Sequence, residues 1–150
     1  MSAKGIRDID VIRTFVLQGT LNFTRYFFKI RQKRKFVIGK HHREIAAALD
    51  KVLCGEITRL IINIAPRYGK TELAVKNFIA EGLAINPKAK FIHLSYSDDL
   101  ARDNSRGVQD IINEPEYRRI FPATIPTSTN TKKWYTTEGG GLDRKSTRLN

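Results

Sequence analysis

The stretch "IINIAPRYGKTELA", Ile61 to Ala74, decides how the fold is read. Its first half belongs to a short, continuous, Ile-rich run, Thr58 to Ile64. Runs of this kind form strands buried on both faces of a parallel sheet. Its second half sets Gly69, Lys70 and Thr71 at the mouth of a helical pattern that extends from Lys70 to Leu83. Strand, glycine-containing loop, helix is the setting of a phosphate loop. There, successive main-chain N–H groups point at one anion, a lysine adds charge at the outer phosphates, and a Thr or Ser hydroxyl holds magnesium. The full pattern G-x-x-x-x-G-K-[ST] is broken at its first glycine, where Ile64 stands, and Pro66 removes one N–H donor. A bare Gly-Lys-Thr also arises by chance, so the weight falls on its position between strand and helix. The competing reading is an ordinary strand-to-helix turn that opens on a lysine. Arg67, inside the loop, either braces a phosphate or pairs at the surface with an acid such as Glu72, and local sequence favours neither.

Upstream, apolar residues at Ile9, Ile12, Phe15, Val16, Phe23, Phe27 and Ile30 fall at helical spacing, with a weak point at Gly19-Thr20. The basic run "KIRQKRKF", Lys29 to Phe36, follows, and is either a phosphate grip or a solvated face. A helix is expected from about His42 to Leu53, stopped by Gly55. His41 and His42 read as polar residues of its start. Downstream, Asn86-Pro87 makes a turn and "KFIHLSYS", Lys90 to Ser97, is the next strand. Ser97 is placed to cap a helix that runs to about Asn113, with Asp98 and Asp99 in its first turn. After the polar stretch Pro122 to Lys133, Trp134 and Tyr135 suggest one more short strand or an anchor. Strand, helix, strand, helix in this order predicts an α/β sheet with right-handed crossovers.

The totals suit one domain with a sizeable core: 150 residues, 41% hydrophobic and 28% charged. The charge balance is unusual, with 27 Lys and Arg against 15 Asp and Glu for a net +12. Such an excess draws polyanions, and nucleic acid is the first partner to consider. Cys54 is the only cysteine; it fits a reducing compartment and reads as a small buried hydrophobe on a helix. No apolar run approaches the roughly 20 residues that span a bilayer, and the start lacks the apolar core of a secretory signal. The end, "DRKSTRLN", Asp143 to Asn150, resembles the translation of a sequencing adapter. Without it the net charge is 12 − 2 = +10, because the segment holds three basic residues and one acid.

Two blocks carry a family resemblance. "HHREIAAALDKVLCGEITRLIINIAPRYGKTELA" is similar to the start of the packaging ATPase domain of bacteriophage terminase large subunits, which use a variant loop of the form Pro-Arg-aromatic or His-Gly-Lys-Ser/Thr-Glu. Here it stands as Pro66, Arg67, Tyr68, Gly69, Lys70, Thr71 and Glu72. "FIHLSYSDDLARDNSRGVQDIINEPEYRRIFP" resembles the strand and helix that follow in the same family. Together they cover about His41 to Pro122, and Ile64 becomes a family trait.

The resemblance implies a P-loop NTPase-type parallel sheet flanked by helices, present as its N-terminal portion only. Residues 1–40 form a helical and basic segment, 41–142 a partial ATPase domain, and 143–150 the adapter-like end. It implies ATP and Mg as cofactors. Lys70 contacts the outer phosphates, Arg67 senses or stabilises the transferring phosphate, and Thr71 holds Mg. Ala65, Pro66, Arg67, Tyr68, Gly69, Lys70 and Thr71 form the cradle. Family members read the adenine just upstream, which puts the stretch around Lys40 to Arg43 in play, but neither His41 nor His42 matches an adenine-reading glutamine and no residue is carried over. The implied work is translocation of double-stranded DNA into procapsids, by a ring of copies, with the terminase small subunit and portal protein as partners, in the host cytoplasm and without a membrane. Two family features have no counterpart here: an acidic pair after a later hydrophobic strand, and the nuclease domain. The fragment is therefore expected to bind nucleotide and not to turn it over alone. A helicase-like translocase, a small-molecule kinase and a non-enzymatic nucleic-acid-binding module remain as alternatives.

Overall fold

A computed structural model describes residues 8–146. The break expected at Gly19-Thr20 is there: α1 spans Asp8–Val16 and α2 spans Thr20–Gln32. Asp50 caps α2 from outside, its Oδ1 accepting both the Thr20 N–H at 2.7 Å and the Thr20 hydroxyl at 2.8 Å. A Cβ at position 19 would stand 2.9 Å from Asp50 Oδ2, so this approach requires the glycine. Residues 33–39 form an irregular strap into α3, Lys40–Leu53. Cys54, expected to be buried, is exposed, because it lies just beyond α3 and off the face that carries Ile45 and Leu49.

The chain becomes helical again at Lys70. Glu72–Asn77 is wound as a π-helix and continues into α4, Phe78–Ile85. The Asn77 side-chain amide donates to the Glu72 carbonyl at 2.8 Å and to Glu72 Oε1 at 3.1 Å, which ties the two ends of the wider turn together. Then come β1 (Lys90–Ser95), α5 (Asp98–Asn113), α6 (Pro115–Ile120), β2 (Lys133–Tyr135) and β3 (Gly141–Ser146). Ser97 occupies the N-cap position of α5 with extended backbone but makes no side-chain cap bond. Asp98 is instead held by Arg102 at 3.0 Å and by the buried Arg144.

The architecture is mixed α/β, with two corrections to the sheet. Among the described residues its three strands run in the order β1-β3-β2, β1 parallel to β3 and β2 antiparallel to it, so the sheet is mixed and not parallel throughout. The Thr58–Ile64 run is not one of them; it makes no ladder with β1, whose outer edge pairs with no strand among the described residues. A strand buried on both faces needs cover on both, and here only one side is covered. Ile62 and Ile64 pack on Ile45, Leu49 and Leu73, while Ile61 is 86% exposed. In β1 likewise, Phe91 and His93 point inward and Ile92 is 73% exposed. Asp143 to Ser146, set apart above as adapter-like, complete the central strand β3; Thr147 to Asn150 lie outside the described residues.

The main core sits between α1, α2, α4, α5, α6 and the covered sheet face. Phe23, Phe27, Tyr117 and Phe121 form an aromatic stack, with successive centroids 4.7, 5.4 and 5.0 Å apart. The Tyr117 hydroxyl donates to the Ala80 carbonyl at 2.8 Å, so its polar tip is paired where it is buried. A smaller cluster, Ile45, Leu49 and Leu73 with Ile62, Ile64 and Phe78, lies directly beneath the loop and fixes both of its ends.

Candidate nucleotide site

The loop from Ala65 to Thr71 leaves the smaller core at Ile64 and returns to it at Leu73. Within it Arg67 has φ 69° and Gly69 has φ 74°. Left-handed residues alternating with right-handed ones turn consecutive amides toward one side, the geometry of an anion-binding nest. The Leu73 N–H closes the first helical turn on the Gly69 carbonyl at 3.0 Å. Ahead of it, the amides of Arg67 through Glu72 donate to no main-chain carbonyl among the described residues. A run of open donors at a helix mouth attracts an anion through both hydrogen bonding and the helix dipole.

α3 grips the loop through His42. The Gly39 N–H donates to His42 Nδ1 at 2.9 Å, so Nε2 carries the proton and donates to the Tyr68 carbonyl at 2.8 Å. Burial holds the His42 pKa below the usual imidazole value, the Tyr68 carbonyl works against this, and the neighbouring His41 adds to it. A neutral ring is what both hydrogen bonds require. His41 stacks on His42 with centroids 3.9 Å apart and meets the Tyr68 ring edge-on at 5.6 Å. Phe36 packs on His42 at 4.9 Å and Phe28 on Phe36 at 5.1 Å.

These rings wall a cavity of about 550 Å³ between the strap, the start of α3 and the loop. Arg67, Tyr68 and Gly69 line its loop side, while Lys70 and Thr71 lie outside the lining, at the helix mouth. The expected residues therefore divide. Arg67, Tyr68 and Gly69 face an aromatic hollow large enough for a planar ring, and Lys70 and Thr71 stand beside the open amides. Ala65 and Pro66 are exposed and carry the chain into the turn. The surface pairing considered for Arg67 is not made: Glu72 is taken by Arg31 at 2.7 Å and by Lys76 at 3.7 Å. Arg67 is exposed and makes no ion pair among the described residues.

His42, Phe36 and Phe28 escaped sequence reading. His42 looked like a solvated helix-start residue and is buried; its contact with Tyr68 spans 26 positions. The nearest signal is that the resemblance puts Lys40 to Arg43 in play without assigning any residue there, and only His41 and His42 of the wall fall in that stretch. For Mg, the fit is limited to one protein oxygen. Thr71 offers an exposed hydroxyl, and no group of three or more His, Cys, Asp or Glu that could hold a metal exists among the described residues. A Mg ion keeps several waters and is bound mainly through phosphates, so one hydroxyl is compatible with it. No family model, curated protein or solved structure matches the chain.

Proposed function

We infer that the chain binds ATP at the Ala65–Thr71 loop and is the front part of a viral DNA-packaging ATPase of the terminase large-subunit kind. The observation that carries the reading is the open run of amides from Arg67 to Glu72 beside an aromatic cavity. The triphosphate lies across those amides with the Lys70 ammonium against its outer oxygens, and the adenine enters the hollow between Phe36, His41 and Tyr68. Magnesium, when bound, neutralises phosphate charge there, with Thr71 as its protein ligand. Arg67, left free by the Arg31–Glu72 pair, reaches the terminal phosphate. A P-loop type of sheet, completed by chain beyond these residues, is the architecture this reading requires, together with procapsid, portal, small subunit and duplex DNA as partners.

Binding of a fluorescent non-hydrolysable ATP analogue with Mg tests it. Lys70→Ala is expected to weaken binding about tenfold or more while the circular dichroism spectrum is unchanged, since a charge-assisted contact to phosphate is worth roughly 1.5–3 kcal/mol. Equal binding by wild type and variant would remove the assignment.

A further inference from the structure

Outside the loop, the strap walls a second hollow, of about 230 Å³, on its other side. Phe15 of α1, Arg25, Tyr26 and Lys29 of α2, and Lys35 and Phe36 of the strap line it. Arg25 and Lys29 are neighbours one helical turn apart on one face of α2. Lys35 arrives from the strap, and all three cations are exposed. None of the three makes an ion pair among the described residues. Two acids packed near these elements already have partners. Glu72 is held by Arg31 and Lys76, and Glu116 accepts from the Tyr26 hydroxyl at 2.8 Å and from Arg119 at 2.7 Å.

Cations gathered without counter-charge repel one another, so the arrangement is completed by an anion that spans them. The hollow is open, its cations are in water, and a single small anion gains little there. A polyanion gains much more, because each neutralised phosphate releases counterions. The floor adds a preference: Tyr26 and Phe36 are half-buried and Phe15 is exposed, which provides apolar contact beside the charges. Alternating phosphate and sugar match alternating cation and ring. Arg34, next along the strap, lies over the Phe28 ring at 5.7 Å and lines the nucleotide-side cavity instead.

We propose that this hollow is a contact surface for the sugar-phosphate backbone of DNA, held without sequence preference, and that Lys35 and Phe36, which wall both hollows, link it to the nucleotide loop. The choice of DNA rests on the motor reading; the cationic hollow does not. The strap is a short segment with one occupant on each side. Any displacement of it by nucleotide changes the position of Lys35 against the backbone, and by reciprocity DNA changes nucleotide affinity by the same factor.

The test uses fluorescence anisotropy with mixed-sequence duplex DNA, without nucleotide, over a salt series. The triple variant Arg25→Ala/Lys29→Ala/Lys35→Ala is expected to bind about tenfold or more weakly near 0.1 M salt. Its log–log salt slope should be shallower by about 2 to 3, at about 0.9 per lost phosphate contact. The losses should be equal for two unrelated sequences. A charge-matched control, Lys51→Ala/Lys88→Ala/Lys132→Ala, removes exposed cations elsewhere and is expected to bind within about twofold of wild type. Equal losses in the two triples would reduce the effect to diffuse charge, and wild-type binding by the first triple would remove the surface altogether; either overturns the proposal. Lys70→Ala keeps the hollow intact and is expected to bind DNA as wild type does. Loss of nucleotide binding and loss of DNA binding are thereby read separately.

Discussion

Glu81→Gln is expected to stabilise the protein by several kcal/mol above pH 8 and by almost nothing near pH 4.5. Glu81 sits on α4 and is 1% exposed, with Oε2 lacking any hydrogen-bond partner among the described residues. Burial first, and the nearby Asp50 carboxylate after it, push its pKa up to about 8, against a hydrogen bond with Thr20 that acts the other way. Thr20 has already given its hydroxyl proton to Asp50. Its oxygen is thus free to accept from a protonated Glu81, and the neutral acid is the form the site suits. Tyr117, on the other side, has its own pKa raised, mainly by burial and in part by Glu81. The native state holds this proton more tightly than the unfolded chain, so stability is greatest below the unfolded value of 4.5 and falls until the pH passes about 8. The full difference corresponds to roughly 4–5 kcal/mol, an upper figure because local opening admits water. Glutamine keeps the shape and cannot ionise. Urea denaturation at pH 5 and pH 8.5 measures it: the wild type should lose stability between the two and the variant should hold level. A wild-type stability that does not change over this range would mean that Glu81 is ionised and paired in the native state.

Much of this framework was legible because it depends on short-range rules. Gly19-Thr20 interrupts a helical period, Gly55 follows the last apolar position of α3, and Asn86-Pro87 separates α4 from β1. Each signal lies within a few residues of what it controls. The Thr58–Ile64 run was misread for a physical reason: four to eight consecutive apolar residues suit a doubly buried strand, but their burial depends on neighbours that the run does not encode. Ile62 and Ile64 found cover on α3 and the π-helical turn, and Ile61 found none. The candidate site divides in the same way. Gly69, Lys70 and Thr71 are visible because a phosphate loop is contiguous in sequence. The ring wall is not, since Phe28, Phe36 and His42 come from separate elements that meet Tyr68 only in the folded chain. The basic run from Lys29 to Phe36 carried no direction as sequence. The strap gives it one, by setting Lys35 between two hollows.

The largest functional effect is expected from a single change in the loop backbone. Gly69 has φ 74°, a conformation that a β-branched residue adopts only at a cost of about 1–2 kcal/mol or more. Space is also lacking: a Cβ there lies 2.8 Å from His42 Nε2 and 3.4 Å from the Phe36 ring. In Gly69→Val the His42 ring must leave, which breaks its bond to the Tyr68 carbonyl and frees the peptide that orients the neighbouring amides. Those amides then scatter, and the cavity loses the alignment of Phe36, His41 and Tyr68. Binding of the ATP analogue with Mg is expected to fall about a hundredfold or more, because several donors are lost together. Stability should drop by only about 2–3 kcal/mol, since the main core lies away from the loop and the smaller cluster touches only its two ends. Arg67→Gly separates backbone from charge. It relaxes a non-glycine residue at φ 69° and removes the guanidinium, so the fold should gain up to about 1 kcal/mol while nucleotide affinity falls by no more than about tenfold. Isothermal titration with the analogue and urea denaturation measure both quantities for each variant. If Gly69→Val binds within threefold of wild type, the amides from Arg67 to Glu72 do not hold the phosphates. If Arg67→Gly is the more damaging of the two, the site works through its side chains and not through its main chain.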